Sequence, residues 1–274
     1  MVNLTRCLNN RDTENTEEAQ RRVSSGAQRT QRTSLSFQTR ANGTQHAFRR
    51  KVNYNEPDYQ LARIERPETI LDVTNLGCVR GDRRIFSDVS FFLAPGSFLQ
   101  VTGANGSGKT SLLRILCGLL TPAEGQIEWE GADIHSLGEE YFTSLTYLGH
   151  RPGIKDELTA DENLRVTAGL NGLEIDKVRS HQALQRMGLA GRESIAARLL
   201  SEGQRRRVSL ARLIVCNTRL WLLDEVLTSL DKAAVTLVRS LIEEHLSSGG
   251  MAIVATHQDL ELSIALTQRL ELAT

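Results

Sequence analysis

Apolar and polar positions follow two rhythms from Pro67 onward, and before that residue they follow neither. Thr69 to Val73 and Ile85 to Leu93 alternate like half-buried strands, with turn chemistry at Gly81-Asp82 between them. Phe98 to Thr102 is a short apolar strand, followed by a glycine-rich loop and a helical apolar period from Ser111 to Leu120. Thr159 to about Ala197 reads as helices with polar faces. Leu220–Leu223 and Ala252–Ala255 are unbroken apolar runs of strand length, the mark of parallel strands buried on both faces. Helical stretches, Ser201–Cys216 and Lys232–His245, separate and flank them. Strands alternating with helices predict an α/β domain over residues 67–274, with a helical insertion at about 151–199.

Residues 1–66 are rich in Arg, Gln, Asn, Ser and Thr. Such a segment has too little apolar surface to offset its chain entropy, so it is expected to be a disordered, dispensable tail. The formal net charge of the whole chain is zero, which gives no field toward nucleic acid. That zero divides into about +5 over the first 66 residues and about −5 over the rest. Arg21–Lys51 carries arginines and no acids, as in an organellar transit peptide, but Asp12, Glu14, Glu17 and Glu18 precede it. Cys7, Cys78, Cys117 and Cys216 are far apart, which points away from a zinc site or a disulfide framework. No stretch approaches ~18 consecutive apolar residues, so any membrane channel is expected in another polypeptide.

Gly103-Ala104-Asn105-Gly106-Ser107-Gly108-Lys109-Thr110 matches G-x-x-x-x-G-K-[ST] and sits between a strand and a helix that opens with Ser111. Its glycines let backbone N–H groups wrap phosphate oxygens, and the helix presents its positive end to the same anion. A chance match in a chain of this size is on the order of 1%. In this pattern Lys109 reaches the β- and γ-phosphates of ATP, and the Thr110 hydroxyl ligates Mg²⁺. Leu220-Trp221-Leu222-Leu223-Asp224-Glu225 is an apolar strand ending in two carboxylates, Asp224 for the Mg²⁺ shell and Glu225 as general base for water. Leu200-Ser201-Glu202-Gly203-Gln204 precedes a basic helix for which Ser201 is the expected N-cap.

This set resembles the ABC ATPases across essentially all of residues 67–274. The resemblance implies a P-loop NTPase fold with a mixed sheet core, an antiparallel β-subdomain and a helical subdomain. It also implies a head-to-tail dimer, in which Ser201, Gly203 and Gln204 close over the nucleotide of a second copy. Thr228-Ser229-Leu230-Asp231 resembles the loop that communicates across that interface, and His257 stands where the family has its γ-phosphate histidine. Three positions depart from the pattern. His150 replaces the usual glutamine at metal and water, Val226 replaces a proline, and Arg80 stands where an aromatic ring stacks on adenine. A planar guanidinium can stack in its place.

Tyr147-Leu148-Gly149-His150, Pro152-Gly153-Ile154-Lys155, Glu157-Leu158-Thr159-Ala160 and Glu162-Asn163-Leu164 are similar to the ATPase of the cytochrome c maturation haem exporter. So are Arg206-Arg207-Val208, Leu210-Ala211-Arg212, and Gly249-Gly250-Met251 before Thr256-His257-Gln258. That resemblance implies an integral membrane permease subunit as partner, and indirectly haem-handling subunits and a haem chaperone. It places the chain at the cytoplasmic face of the inner membrane. The ATPase of another transporter, a soluble ABC ATPase and a nucleotide sensor without turnover stay open at this point.

Overall fold

A computed structural model describes residues 69–258, 260, 262–263 and 266–272. The expected disordered tail, 1–66, lies outside the described residues, as does Cys7. The strands in chain order are β1 (Leu71–Arg80), β2 (Arg83–Leu93), β3 (Phe98–Thr102), β4 (Glu124–Trp129), β5 (Ala132–Asp133), β6 (Leu145–Leu148), β7 (Leu220–Asp224), β8 (Met251–Ala255) and β9 (Thr267–Glu271). The helices are α1 (Lys109–Leu116), α2 (Ile134–Leu137), α3 (Glu139–Thr143), α4 (Ala160–Leu170), α5 (Lys177–Arg186), α6 (Glu202–Cys216) and α7 (Lys232–Ser247).

The expected mixture of parallel and antiparallel strands is divided between two sheets. One is antiparallel with order β2-β1-β4-β5, and the other is parallel with order β6-β7-β8-β3-β9. The three central parallel strands, β7, β8 and β3, are buried on both faces. Leu220 and Leu222 face a core shared with α1 and the antiparallel sheet, while Trp221 and Leu223 face a core shared with α4, α5, α6 and α7. Cys78, Cys117 and Cys216 are free thiols buried in these cores. No helix among the described residues is long and apolar enough to cross a membrane.

Sequence periodicity misplaces some elements for physical reasons. β4 carries only Ile127 and Trp129 as buried residues, and β9 only Leu270, so neither shows an apolar period. α1 stops at Leu116 instead of Leu120, just before Gly118, a residue suited to ending a helix. Ser201 is the N-cap of α6 as its sequence suggests. Its hydroxyl accepts from Gln204 N, and Gln204 Oε1 accepts from Ser201 N.

The two ends of the helical insertion are laced together by backbone bonds. Ala197 N donates to Leu158 O at 2.8 Å, Arg198 N to Asp156 O at 3.0 Å, and Asp161 N to Glu193 O at 3.0 Å. Asn163, 6% exposed on α4, staples the incoming loop. Its Oδ1 accepts from Lys155 N at 2.7 Å, and its Nδ2 faces the carbonyls of Lys155, Leu158 and Thr159 at 3.0–3.2 Å. Asn163→Ala leaves Lys155 N without its acceptor and the three carbonyls with their backbone donors alone, and is expected to destabilise the fold by about 2 kcal/mol. Urea unfolding monitored by circular dichroism measures it, and a change below about 0.5 kcal/mol contradicts the staple.

Candidate functional site

In an open parallel sheet, ligands bind beyond the carboxyl ends of the strands. Here those ends deliver four segments to one place: Gly103 after β3, Gly149-His150 after β6, Asp224-Glu225 at β7, and Thr256-His257 after β8. The loop after β3 needs glycine. Gly103 has φ 142° and Gly108 φ 103°, both in the left-handed half of the map. A Cβ on Gly103 would lie 2.6 Å from Leu272 O, and one on Gly108 2.6 Å from Ile85 Cγ2. The loop then feeds straight into α1 at Lys109.

A cavity of about 540 Å³ opens over this loop. Asn105, Gly106, Gly108, Lys109, Thr110 and Ser111 line one wall, Glu225, Thr228, His257 and His150 another, and Arg80 and Ile85 also line it. Lys109 Nζ donates to the loop carbonyls of Gly103 at 2.8 Å and Ala104 at 3.2 Å. His257 Nε2 lies 3.0 Å from Asn105 Oδ1 and 3.3 Å from Glu225 Oε1. With the proton on Nε2 the imidazole donates to both, and the 3.2 Å approach of Lys109 Nζ to the same nitrogen is then not a hydrogen bond. Glu225 adopts φ 54°, a left-handed conformation unusual for a residue with a side chain, and its N–H donates to Ala255 O at 2.9 Å.

Thr110 Oγ1 donates to Asp224 Oδ1 at 3.2 Å, and Tyr147 OH approaches Asp224 Oδ2 at 3.5 Å. Burial, and after it the Asp224 carboxylate, push the Tyr147 hydroxyl above its usual range, so it stays a donor to that carboxylate. Sequence reading placed Tyr147 in a motif but gave it no role. Its signal was its position opposite Leu222 on the neighbouring strand, two residues before Asp224, which only the β6–β7 pairing discloses.

A family model described as ABC transporter matches residues 86–228. The cytochrome c biogenesis ATP-binding export protein CcmA of Nitrosospira multiformis is 58% identical over 202 residues, covering 74% of this chain and 98% of that protein. The CcmA of Nitrosomonas europaea is 54% identical over 207 residues, covering 76% and 97%. The chain belongs to the ABC transporter family, among the cytochrome c biogenesis ATP-binding export proteins. A solved ATP-binding subunit of an ABC transporter is similar in fold, with TM-score 0.64 and 26% identity over 69% of this chain and 80% of that one. A dimeric ATP-binding cassette in a post-hydrolysis state with ADP and phosphate has TM-score 0.60 and 22% identity, over 69% and 88%.

As an ABC ATPase the chain binds and hydrolyses ATP, and one observation inside the loop fits the polyphosphate directly. Ser107 Oγ is buried and has no hydrogen-bond partner. A phosphate oxygen in the loop would remove that penalty. For a metal the hydroxyl of Thr110 and the carboxylate of Asp224 offer adjacent hard oxygens, and nucleotide and water can complete a shell of the kind Mg²⁺ takes.

Ser201, Gly203, Gln204 and Asp231 do not line this cavity. The side chains of Ser201 and Gln204 cap α6, and Asp231 caps α7 through Ala234 N while pairing with Arg207 at 2.7 Å. The two regions touch each other: Ser229 Oγ donates to Glu202 Oε1 at 3.0 Å. Lys109→Ala removes the cation that lines the cavity within the loop, and is expected to lower ATP turnover at least about a hundredfold. A phosphate-release assay checks it, and near-normal turnover contradicts the role given to Lys109.

Proposed function

We propose that this chain is the ATP-hydrolysing subunit of a haem exporter in c-type cytochrome maturation. The observation that carries the reading is the 58% identity to a CcmA protein along 98% of its length. The gathering of Lys109, Asn105, Glu225 and His257 around one cavity supports active turnover, despite the departures at His150, Val226 and Arg80.

In this reading Arg80 stacks on the adenine, and residues 103–111 hold the phosphates. Lys109 leaves the carbonyls of Gly103 and Ala104 for the β- and γ-phosphates. Glu225 accepts the proton of the attacking water, and His257, already beside Glu225, positions the γ-phosphate. Thr110 and Asp224 would hold Mg²⁺, which would neutralise phosphate charge. His150 contacts the water more readily than the metal, because Mg²⁺ prefers oxygen.

Ser201, Gly203 and Gln204 close over the nucleotide of a second copy, and Asp231 lies at the same interface. Their position outside their own cavity supports that arrangement. The helical insertion docks a cytoplasmic helix of a membrane permease subunit, which places the chain at the cytoplasmic face of the inner membrane. Four of the eight large apolar side chains exposed among the described residues lie in this insertion: Val166, Leu170, Val178 and Leu199. ATP-driven closure pulls the docked helix, and hydrolysis resets it.

A strain lacking this chain is expected to make no c-type cytochromes, seen by haem staining, while its periplasmic haem chaperone loads haem but does not release it. A strain carrying Lys109→Ala should behave identically. Normal c-type cytochromes in the deletion strain, with no second copy of the gene, would leave the ABC ATPase without this role.

A further inference from the structure

Three consecutive arginines follow the first turn of α6, and helical geometry sends them in three directions. Arg205 pairs with Asp156 at 2.6 Å and Arg207 with Asp231 at 2.7 Å. Arg206 is the buried one, 4% exposed, and no carboxylate among the described residues stands within ion-pair distance of it. Its guanidinium is held by carbonyls instead. Nη1 donates to Gly149 O at 3.0 Å, and Nη2 donates to His150 O at 2.6 Å and to Glu225 O at 3.3 Å. Burial pulls this guanidinium down from the usual arginine range, with Glu202 and Asp224 opposing at a distance. A buried cation without a carboxylate partner carries a large desolvation penalty. What stands against that penalty here is the joining of two loops that flank the cavity.

We propose that Arg206 is a positioning residue that pins the loop after β6 and the end of β7 to α6, so that His150 and Glu225 move as one with the helix that begins at Ser201. The proposal rests on the assignment of Glu225 as general base. Two nitrogens of one planar fork, Nη1 and Nη2, together hold three carbonyls on the two loops, a spread that the single nitrogen of a lysine does not reproduce. Glu225 depends on this bond in a specific way. Its φ of 54° is strained for an L residue, and the peptides on either side are tied down, one by Ala255 O and the other by Thr228 N at 3.2 Å within the turn and by Arg206 from α6. Without Arg206 the Glu225 carbonyl keeps only the bond from Thr228 N within its own turn, the turn loses its tie to α6, and the carboxylate can leave its place beside His257. Nothing in this route touches the phosphate loop, so nucleotide affinity should survive while the chemical step suffers.

The test uses the full chain in its assembled complex. Arg206→Met is expected to lower kcat at least tenfold while KM for ATP stays within twofold. Arg206→Lys, whose point charge reaches one loop but not both, should lose at least threefold in kcat. Added to Glu225→Gln, the Arg206→Met change should cause no further loss in the residual single-turnover rate, because both act through one carboxylate. The proposal is overturned by an Arg206→Met effect on KM alone, or by losses that multiply in the double variant. If Arg206→Met does not fold, Arg206→Lys decides: full kcat overturns the pin, and a loss in kcat at unchanged KM supports it. Near-parental turnover in Glu225→Gln alone overturns the base assignment, and the proposal with it, and is told apart because it needs no change at Arg206.

Discussion

A polyphosphate carries several negative charges, and a sheet of buried parallel strands has no water at its heart to solvate them. The constraint on this molecule is therefore the path of six residues, 103–108, by which the backbone itself would solvate the anion in the proposed site. At its two ends that path leaves no room for side chains. Leu272 O and the Ile85 side chain stand 2.6 Å from where Cβ atoms of residues 103 and 108 would be. The packing that surrounds the loop and the glycines within it thus define each other. The buried Ser107 hydroxyl, without a hydrogen-bond partner, is a group that an anion in the loop would satisfy.

The rest of the architecture follows from placing that loop. Four neighbouring parallel strands end on one side of the sheet, so carboxylates, imidazole and lysine arrive together although they are scattered over more than a hundred residues of chain. The Asp224 carboxylate is approached from both sides, by Thr110 at the start of α1 and by Tyr147 at the end of β6. The helices beyond β6 belong to the opposite face of the sheet and reach the cavity through few contacts. Arg206 supplies three of them, to Gly149, His150 and Glu225.

What could be read in the sequence was whatever is local along the chain. The glycine loop, the apolar strand ending at Asp224-Glu225 and the Ser201 cap with Gln204 three residues on each carry their physical reason within a few residues. β4 and β9 were illegible because each buries so little that no period forms. The contacts of Tyr147, Asn105 and Arg206 were illegible for another reason: each meets a partner brought close only by strand order. Arg206 in particular reads as one more surface charge in a run of three, and only its burial and its carbonyl partners distinguish it from Arg205 and Arg207.

The central claim is that each nucleotide site is completed by a second copy, since Ser201, Gly203 and Gln204 stand away from their own cavity. The direct measurement is the mass in solution of the Glu225→Gln chain, by light scattering, with and without ATP and Mg²⁺. The account predicts a single chain of 30.4 kDa without nucleotide and a doubling of that mass with it. A mass that stays at one chain when ATP saturates the site, both for the isolated chain and within the membrane complex, would contradict it.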